Sequence, residues 1–204
     1  MRLYYRDGTG RPLRVAWELE ELGVAYEPVK LTWEQCQQAE HLARQPLGRV
    51  PALEFDGEDA LFESTAVVLA VADRHPDAGL IGPLGSPLRE QVYAWSIFAM
   101  TELEPAAVNS RFVEGVSDEY KHGQRERFAA GAAAVGHRLG ANPFLLGDTL
   151  TAADFVVGGV LAAGNFVGVL ETAPDNVIEY FKRLQARPAY VRGAQRTGSI
   201  FTPS

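Results

Sequence analysis

The sequence predicts an α/β domain with the element order βαβαββα, followed by an all-α domain. Up to residue 75, short segments of β-forming residues alternate with segments whose apolar residues recur at helical spacing. A stretch rich in proline and glycine follows at residues 76–87. Beyond it, apolar and polar residues do not alternate, so we expect only helices there.

The proline- and glycine-rich stretch marks a domain boundary, because few contacts cross such a segment. We assign residues 1–78 to the first domain, residues 79–87 to a linker and residues 88–204 to the helical domain. A chain of 204 residues is long enough for two small domains with separate cores.

The first domain begins with a short strand at residues 3–5 and a loop at residues 6–10. Pro12 suits the first turn of the helix that follows, and Gly23 suits its end. The next strand, residues 25–31, contains Pro28, which indicates a sheet edge because proline cannot donate to a neighbouring strand.

A weaker helical pattern covers residues 34–44, and strands are predicted from Ala52 and Ala60. A helix at residues 64–75 completes the order, which is that of a thioredoxin-like fold. The second half contains helices at residues 88–113, 118–139, 151–169 and 176–187 and a short one after Pro188.

The start of the third of these helices carries a capping box, in which Thr151 caps the backbone and Asp154 bonds back from the third helical position. Leu150 and Phe155 stand where a hydrophobic staple places its two members. We therefore expect Asp154 to be structural and not catalytic.

Composition and charge favour a protein that acts on small ligands. The chain is 47% hydrophobic and 22% charged, and its net charge of −7 argues against nucleic acid or an anionic membrane as the main partner. The most apolar stretch, residues 155–163, is far shorter than the roughly 20 residues that span a bilayer. Strand-forming residues begin at Arg2 and leave no room for a signal peptide, so we expect a cytoplasmic location.

Cysteine and histidine usage predicts no metal centre and no disulfide. Cys36 is the only cysteine, and the four histidines lack ligand spacing. We expect Cys36 to be a small, half-buried thiol.

The first candidate binding motif lies in residues 46–53, where a turn precedes an apolar strand that begins with Pro51. We expect the Val50-Pro51 bond to be cis, because an X-Pro cis bond costs only about 0.5–1 kcal/mol and reverses the chain tightly. Such a bend turns the N–H and C=O groups of Val50 away from the sheet, where an extended peptide can pair with them.

The second motif lies 13 residues further on, at Glu63-Ser64, where a predicted strand meets a predicted helix. Ser64 and the neighbouring amides would bind a carboxylate at the helix start, and Glu63 would bind an ammonium group. Each residue alone is equally well explained as a helix cap or a first-turn charge. The combination with Val50-Pro51 is more specific, since it fits the two ends of one small peptide.

Four motifs occur in order: Pro-Leu-Gly-Arg-Val-Pro-Ala-Leu, Phe-Glu-Ser-Thr-Ala, Phe-Leu-Leu-Gly-Asp-Thr-Leu-Thr-Ala-Ala-Asp-Phe and Arg-Pro-Ala-Tyr. With them the chain resembles the cytosolic glutathione S-transferase superfamily over nearly its whole length. The resemblance implies a thioredoxin-like domain that binds glutathione as co-substrate and a helical domain that lines the pocket of a hydrophobic electrophile. It also implies a homodimer and a role in detoxification.

The resemblance assigns roles to the two motifs. Val50 would pair with the cysteinyl backbone of glutathione, Pro51 would be the cis-proline, and Glu63 with Ser64 would hold the γ-glutamyl head. Arg49 would reach a carboxylate of the same ligand, although a solvated surface arginine is an equal alternative.

The departure from the family pattern concerns the group that activates the glutathione sulfur. In the family, a hydroxyl or thiol just after the first strand hydrogen-bonds the sulfur and favours the thiolate. Anchored on Arg14-Val15, this position falls near Gly10, which offers only its backbone N–H. Thr9 is the first candidate, as in bacterial nu-class members, with Arg11 as a cationic helper. Tyr5 is the second candidate, and the alternative for it is an aromatic residue packed in the sheet.

The resemblance predicts an enzyme that conjugates the glutathione thiolate to an electrophilic small molecule. A glutathione-dependent disulfide reductase of nu-class type is one alternative, and a non-catalytic binding or regulatory protein on the same fold is another. Gly10 favours the non-catalytic alternative, whereas the intact Val50-Pro51 and Glu63-Ser64 motifs favour the enzyme.

Overall fold

The structure is a computed structural model that describes residues 1–201. The chain forms two compact units: residues 1–78 together with the chain from Gln185 onward, and residues 79–184. The first unit contains the sheet, and the second is helical.

The sheet of the first unit has four strands in the order β2-β1-β3-β4. They are β1 (Arg2–Tyr5), β2 (Glu27–Lys30), β3 (Ala52–Glu54) and β4 (Leu61–Phe62). Strand β2 runs parallel to β1, whereas β3 is antiparallel to both β1 and β4. Pro28 lies in the edge strand β2, as the sequence predicts.

Four helices accompany this sheet: α1 (Arg11–Leu22), α2 (Trp33–Cys36), α3 (Ala39–Arg44) and α4 (Ser64–Arg74). The predicted helix at residues 34–44 is therefore two short helices. The break occurs because Gln38 adopts an extended conformation and begins the second helix. With this division the order βαβαββα is confirmed, and the fold is thioredoxin-like.

The two faces of the sheet carry different helices. Helices α1 and α4 pack against each other and against β1 and β3, respectively. Side chains alternate along a strand, so Tyr4 and Ala52 point to the opposite face from Leu3 and Leu53. On their face they form a buried cluster with Leu31 and Cys36.

Helix α10 (Pro188–Arg196) packs directly on α1, which explains why the chain from Gln185 onward belongs to the first unit. A Cβ atom at Gly193 would lie 2.8 Å from the backbone nitrogen of Trp17, so only glycine permits this approach. The rings of Trp17 and Tyr190 meet edge to face at 5.2 Å between centroids. The sequence-based division differs here, because it assigns residues 185–204 to the helical domain.

The second unit consists of α5 (Pro87–Phe98), α6 (Glu104–Asn109), α7 (Asp118–Leu139), α8 (Ala152–Val167) and α9 (Asp175–Gln185). A π-helical turn at Ala99–Leu103 joins α5 to α6, so the predicted helix at residues 88–113 is divided and ends earlier. Helix α8 is buried along most of its length and packs against α5 and α6. Within residues 1–201, no helix combines the length and apolarity that crossing a bilayer requires.

The capping box at the start of α8 is confirmed. Asp154, which is fully buried, accepts hydrogen bonds from the Thr151 backbone N–H at 2.7 Å and from the Thr151 hydroxyl at 2.9 Å. It also accepts from the Leu145 N–H at 2.9 Å and the Tyr180 hydroxyl at 2.6 Å. Asp154 thus ties α8 to the preceding loop and to α9.

Candidate functional site

Strand register brings three separate segments to one end of the sheet. Tyr4 of β1 pairs with Ala52 of β3, and Ala52 pairs with Phe62 of β4. The residues that follow β1, precede β3 and follow β4 therefore share this end. These segments are residues 6–10, residues 47–51 and the start of α4.

A cavity of about 200 Å³ opens at this end of the sheet. It is lined by Arg6, Thr9, Gly10, Arg11, Trp33, Cys36, Gly48, Arg49 and Val50. An adjoining narrow cleft is lined by Arg11, Gln45, Arg49, Val50, Pro51, Glu63 and Ser64. Since Arg11, Arg49 and Val50 line both, the cavity and the cleft lie side by side.

The structure brings together all but one of the residues singled out from the sequence. The residues that line the cavity or the cleft are Thr9, Arg11, Arg49, Val50, Pro51, Glu63 and Ser64. Tyr5 lines neither of them; it lies at the end of β1, where it is half-buried and pairs with Lys30.

The loop that presents Val50 is fixed by two buried side chains. The Val50-Pro51 peptide bond is cis, as predicted. The side-chain oxygen of Gln45 accepts from the N–H groups of Leu47 at 2.8 Å and Arg49 at 2.9 Å. The Nε2 atom of His41 donates to the Arg49 carbonyl oxygen at 2.8 Å. Sequence reasoning missed both side chains, because no motif or periodicity distinguishes them from surface residues.

The Glu63-Ser64 segment has an unusual backbone conformation. Glu63 has φ 67°, a value that non-glycine residues rarely adopt, and conformations of this kind cost about 1–3 kcal/mol and cluster at functional sites. Glu63 occupies the N-cap position and Ser64 is the first residue of α4, so the predicted serine cap is displaced by one residue.

Ser64 is only 2% exposed, and its hydroxyl oxygen accepts from Nη1 of Arg14 at 3.3 Å. Because its oxygen acts as the acceptor in this bond, the Ser64 hydroxyl can still donate its own proton to another group. Arg14 is 1% exposed, and the sequence used it only as an alignment anchor. A buried arginine behind the serine also adds positive charge to this side of the cleft.

Thr9 and the start of α1 border the cavity at its other end. The Thr9 hydroxyl donates to the carbonyl oxygen of Arg6 at 2.6 Å. Gly10 is the N-cap of α1 and contributes no side-chain cap. Pro12 has no N–H and the Leu13 N–H donates to the Gly10 carbonyl oxygen at 3.1 Å, but the N-terminal turn of a helix carries partial positive charge, so this end still favours an anion.

The charges of the cavity are one-sided. Arg6, Arg11 and Arg49 line it, and none of its nine lining residues is acidic. The guanidinium carbon of Arg6 lies 5.4 Å from the ring centroid of Trp33, at a distance typical of a cation–π contact. The chain as a whole carries a net charge of −7, so the cavity is a local basic region on an acidic protein.

Cys36 lies in the cavity wall, although only 1% of it is exposed. Burial raises the pKa of the Cys36 thiol, which keeps it protonated and poorly nucleophilic at neutral pH. Among residues 1–201, no group of three His, Cys, Asp or Glu side chains is arranged to hold a metal ion.

Comparison with known proteins agrees with this geometry. Residues 1–72 match the profile of "Glutathione S-transferase, N-terminal domain", and residues 90–183 match that of "Glutathione S-transferase, C-terminal domain". The chain belongs to the cytosolic glutathione S-transferase superfamily.

Solved glutathione transferases share the fold over nearly the whole chain. The enzyme from Methylococcus capsulatus (Bath) is 27% identical, with a TM-score of 0.85 over 97% of this chain and 98% of that one. BphK, a bacterial glutathione S-transferase solved as a ternary complex, is 30% identical, with a TM-score of 0.84 over 97% and 100%. A sphingomonad glutathione S-transferase complexed with glutathione is 27% identical, with a TM-score of 0.84 over 97% and 99%.

Curated relatives in the superfamily match shorter segments. A maleylacetoacetate isomerase of Rhizobium meliloti is 33% identical over 56% of this chain and 54% of its own length. Glutathione S-transferase F9 of Arabidopsis thaliana is 38% identical over 48% and 46%. The chain thus spans about half the length of these relatives.

Proposed function

We propose that this protein is a glutathione S-transferase that joins the glutathione thiolate to an electrophilic small molecule. One observation carries the proposal: two motifs 13 residues apart in the sequence line an adjacent cavity and cleft together with Thr9 and the start of α1.

In the proposed binding mode, glutathione lies along the site with its backbone against the loop that precedes β3. Its cysteinyl group pairs with the backbone of Val50. The γ-glutamyl carboxylate accepts from Ser64 and the first amides of α4, and the γ-glutamyl ammonium lies near Glu63. Arg49, which borders both cavity and cleft, binds a carboxylate of the same ligand.

The chemistry requires the thiolate, since it is far more nucleophilic than the thiol. Arg6 and Arg11 and the N-terminus of α1 favour the ionised sulfur, and Thr9 donates a hydrogen bond to it after releasing the Arg6 carbonyl. The sulfur then forms a C–S bond with an electrophilic carbon. In a substitution, a leaving group departs with its electron pair. When the sulfur instead adds to a carbon–carbon double bond, the neighbouring carbon takes up a proton.

Two other activities share this site. The similarity to maleylacetoacetate isomerases favours glutathione-dependent isomerisation. The match to the Rhizobium meliloti protein covers 54% of that protein's length. Disulfide reduction of nu-class type uses the same thiolate, which attacks a disulfide sulfur and releases the other as a thiolate. Assays with a chlorinated aromatic, maleylacetone and a mixed disulfide with glutathione separate the three reactions.

We also propose that the protein acts as a cytoplasmic homodimer in detoxification, as the family resemblance implies. Its second substrate is a hydrophobic electrophile, and neither nucleic acid nor a membrane is a partner. Size-exclusion chromatography with light scattering tests the assembly.

We expect Ser64→Ala to weaken glutathione binding by about 10–100-fold, because a hydrogen bond to a charged group contributes about 1.5–3 kcal/mol. Isothermal titration calorimetry with glutathione measures the effect. Thr65→Val is the matched control, since Thr65 is the next residue of α4 and does not line the cleft. An unchanged affinity in a folded Ser64→Ala protein would remove Ser64 from the site.

Thr9→Val should lower turnover about 10–100-fold and raise the pKa of the bound glutathione thiol by about one to two units, because the thiolate loses a donor. Less thiolate is then present at neutral pH, so activity should recover as the pH rises. Absorbance of the bound thiolate against pH measures the pKa, and Thr9→Ser should retain most of the activity. If turnover and thiol pKa are both unchanged in Thr9→Val, the catalytic role of Thr9 is wrong, while the binding assignment stands.

A further inference from the structure

Gly10 lies near the position where the family resemblance leads us to expect a serine or cysteine, and its backbone does not explain the glycine. Its φ of −96° and ψ of −37° are values that any residue adopts. Something other than conformation must exclude a side chain here.

The ring of Phe201 fills the space that a side chain at position 10 would occupy. A Cβ atom at Gly10 would lie 2.8 Å from Cδ2 of Phe201 and still closer to Cε2 and Cζ of the ring. Real Cβ atoms do not approach other atoms this closely, so a serine or cysteine at position 10 and the ring at its present place exclude each other.

The C-terminal segment, residues 198–201, lies beside the loop that carries Thr9, residues 7–10. The Gly8 N–H donates to the Gly198 carbonyl oxygen at 3.1 Å. Asp7 packs against Gly198 so closely that a Cβ atom there would overlap its carboxylate, and Ile200 approaches Gly8. The segment and the loop at residues 7–10 therefore contact each other at Asp7, Gly8 and Gly10.

The C-terminal segment is itself fixed to helix α10. The Tyr190 hydroxyl donates to the Phe201 carbonyl oxygen at 3.1 Å, and the Ser199 N–H donates to the Ala194 carbonyl oxygen at 3.1 Å. Tyr190 is fully buried, and Gly193 seats α10 on the backbone of α1. Helix α10 therefore packs on α1 and also holds the C-terminal segment, whose Phe201 ring packs on the N-terminus of α1.

We infer that Phe201 is a positioning residue for glutathione activation: its ring, packed on the backbone of Gly10, holds Thr9 and the first turn of α1 where they stabilise the thiolate. The inference rests on the proposed function. Phe201 acts through Gly10 and the loop at residues 7–10. The γ-glutamyl and cysteinyl ends of the site lie on other segments, so substitutions at Phe201 should affect activation and leave binding intact.

Kinetics and thiolate absorbance test this role in the full-length protein. Phe201→Ala should lower kcat about tenfold and raise the pKa of the bound glutathione thiol by about one unit, the shift that a tenfold loss of thiolate represents. The KM for glutathione should stay within about twofold. Phe201→Leu should restore most of the activity, and Phe112→Ala, which removes a 54% exposed phenylalanine of the second unit, should change neither quantity.

A merely structural role gives a different result. Partial unfolding would lower the active fraction without moving the pKa of the bound thiol. An unchanged thiol pKa in Phe201→Ala, or a KM that rises as kcat falls, would overturn the inference.

A double-mutant cycle tests the contact without glutathione. Gly10→Ala alone should lower the melting temperature, because the new methyl group overlaps the ring. In the Phe201→Ala background the same substitution should raise it, because replacing a glycine of compatible backbone conformation by alanine reduces the entropy of the unfolded chain.

The two tests separate failure of the inference from failure of the proposed function. Wild-type protein that neither binds nor turns over glutathione overturns the proposed function and, with it, the activation role of Phe201. Additive effects of Gly10→Ala and Phe201→Ala in a protein that does turn over glutathione overturn the positioning role alone.

Discussion

Asp154→Ala is expected to lower the free energy of unfolding by about 4 kcal/mol or more, since it removes the acceptor of four buried donors at about 1–3 kcal/mol each. These are the N–H groups of Leu145 and Thr151 and the hydroxyls of Thr151 and Tyr180. Tyr180 is fully buried and lies 26 residues away on α9, so the loss affects three elements at once. Urea unfolding followed by circular dichroism measures the change.

Asp118→Ala is the matched control, because Asp118 stands in the first turn of α7 but is exposed. It should change stability by less than about 0.5 kcal/mol. Combining Asp154→Ala with Tyr180→Phe should cost less than the sum of the two single variants, because the tyrosine donor is then absent as well. Strict additivity would contradict the network.

The sequence predicts the first unit well because its signals are local. Alternating apolar residues and the proline in β2 each act within a few residues of the chain, as does the capping box at Thr151 in the second unit. Two features of the first unit that the sequence did not predict depend on distant packing or on fine backbone detail. Helix α10 joins the first unit through Gly193, 176 residues beyond Trp17, and the break between α2 and α3 depends on the conformation of Gln38 alone.

The same distinction applies to the site. Val50-Pro51 and Glu63-Ser64 are recognisable because each combines a turn or helix start with a polar group in a short motif. Gln45 and His41 form hydrogen bonds to the backbone of the loop, and no sequence pattern predicts these bonds. In the sequence, Gly10 indicates that the hydroxyl or thiol that activates the glutathione sulfur in the family is missing. In the structure, the ring of Phe201 packs on Gly10. These two residues are far apart in the sequence, so the sequence does not reveal the contact.

The burial of Glu18 could not be predicted from the helical pattern of apolar residues in α1, because this helix is covered on two sides. The apolar face of α1 that the sequence predicts is complemented by polar positions, among them Glu18, that a surface helix would expose to water. In the structure, α1 is covered both by α4 and by α10, and Glu18 is completely buried. Among the residues described, neither of its carboxyl oxygens has a hydrogen-bond partner.

Burial raises the pKa of the Glu18 carboxyl well above its ordinary value, and this sets the direction of a pH effect. In the unfolded chain the group ionises near pH 4.3, whereas in the folded protein it keeps its proton to higher pH. Between these two pKa values the folded state binds one more proton than the unfolded state. The free energy of unfolding therefore falls as the pH rises, by about 1.4 kcal/mol per pH unit from this group.

Glu18→Gln should remove this pH dependence, because the amide has the shape of the protonated acid but does not titrate. Below about pH 4 the variant and the wild type should be equally stable, and above it the variant should become increasingly more stable than the wild type as the pH rises toward the folded-state pKa of Glu18. Urea unfolding at fixed protein concentration between pH 4 and pH 8 measures the difference. Fixed concentration matters because assembly into dimers would also change the apparent stability.

Two further variants identify the cause. Glu27→Gln changes an exposed glutamate of the same unit and should give a curve parallel to that of the wild type. Glu18→Met removes the unpartnered oxygens as well as the charge, so it should be more stable than Glu18→Gln by about 1–3 kcal/mol at every pH. If the wild-type and Glu18→Gln curves are parallel, Glu18 is ionised in the folded protein. The packing of α1 between α4 and α10 would then have to admit water or a partner for its carboxylate.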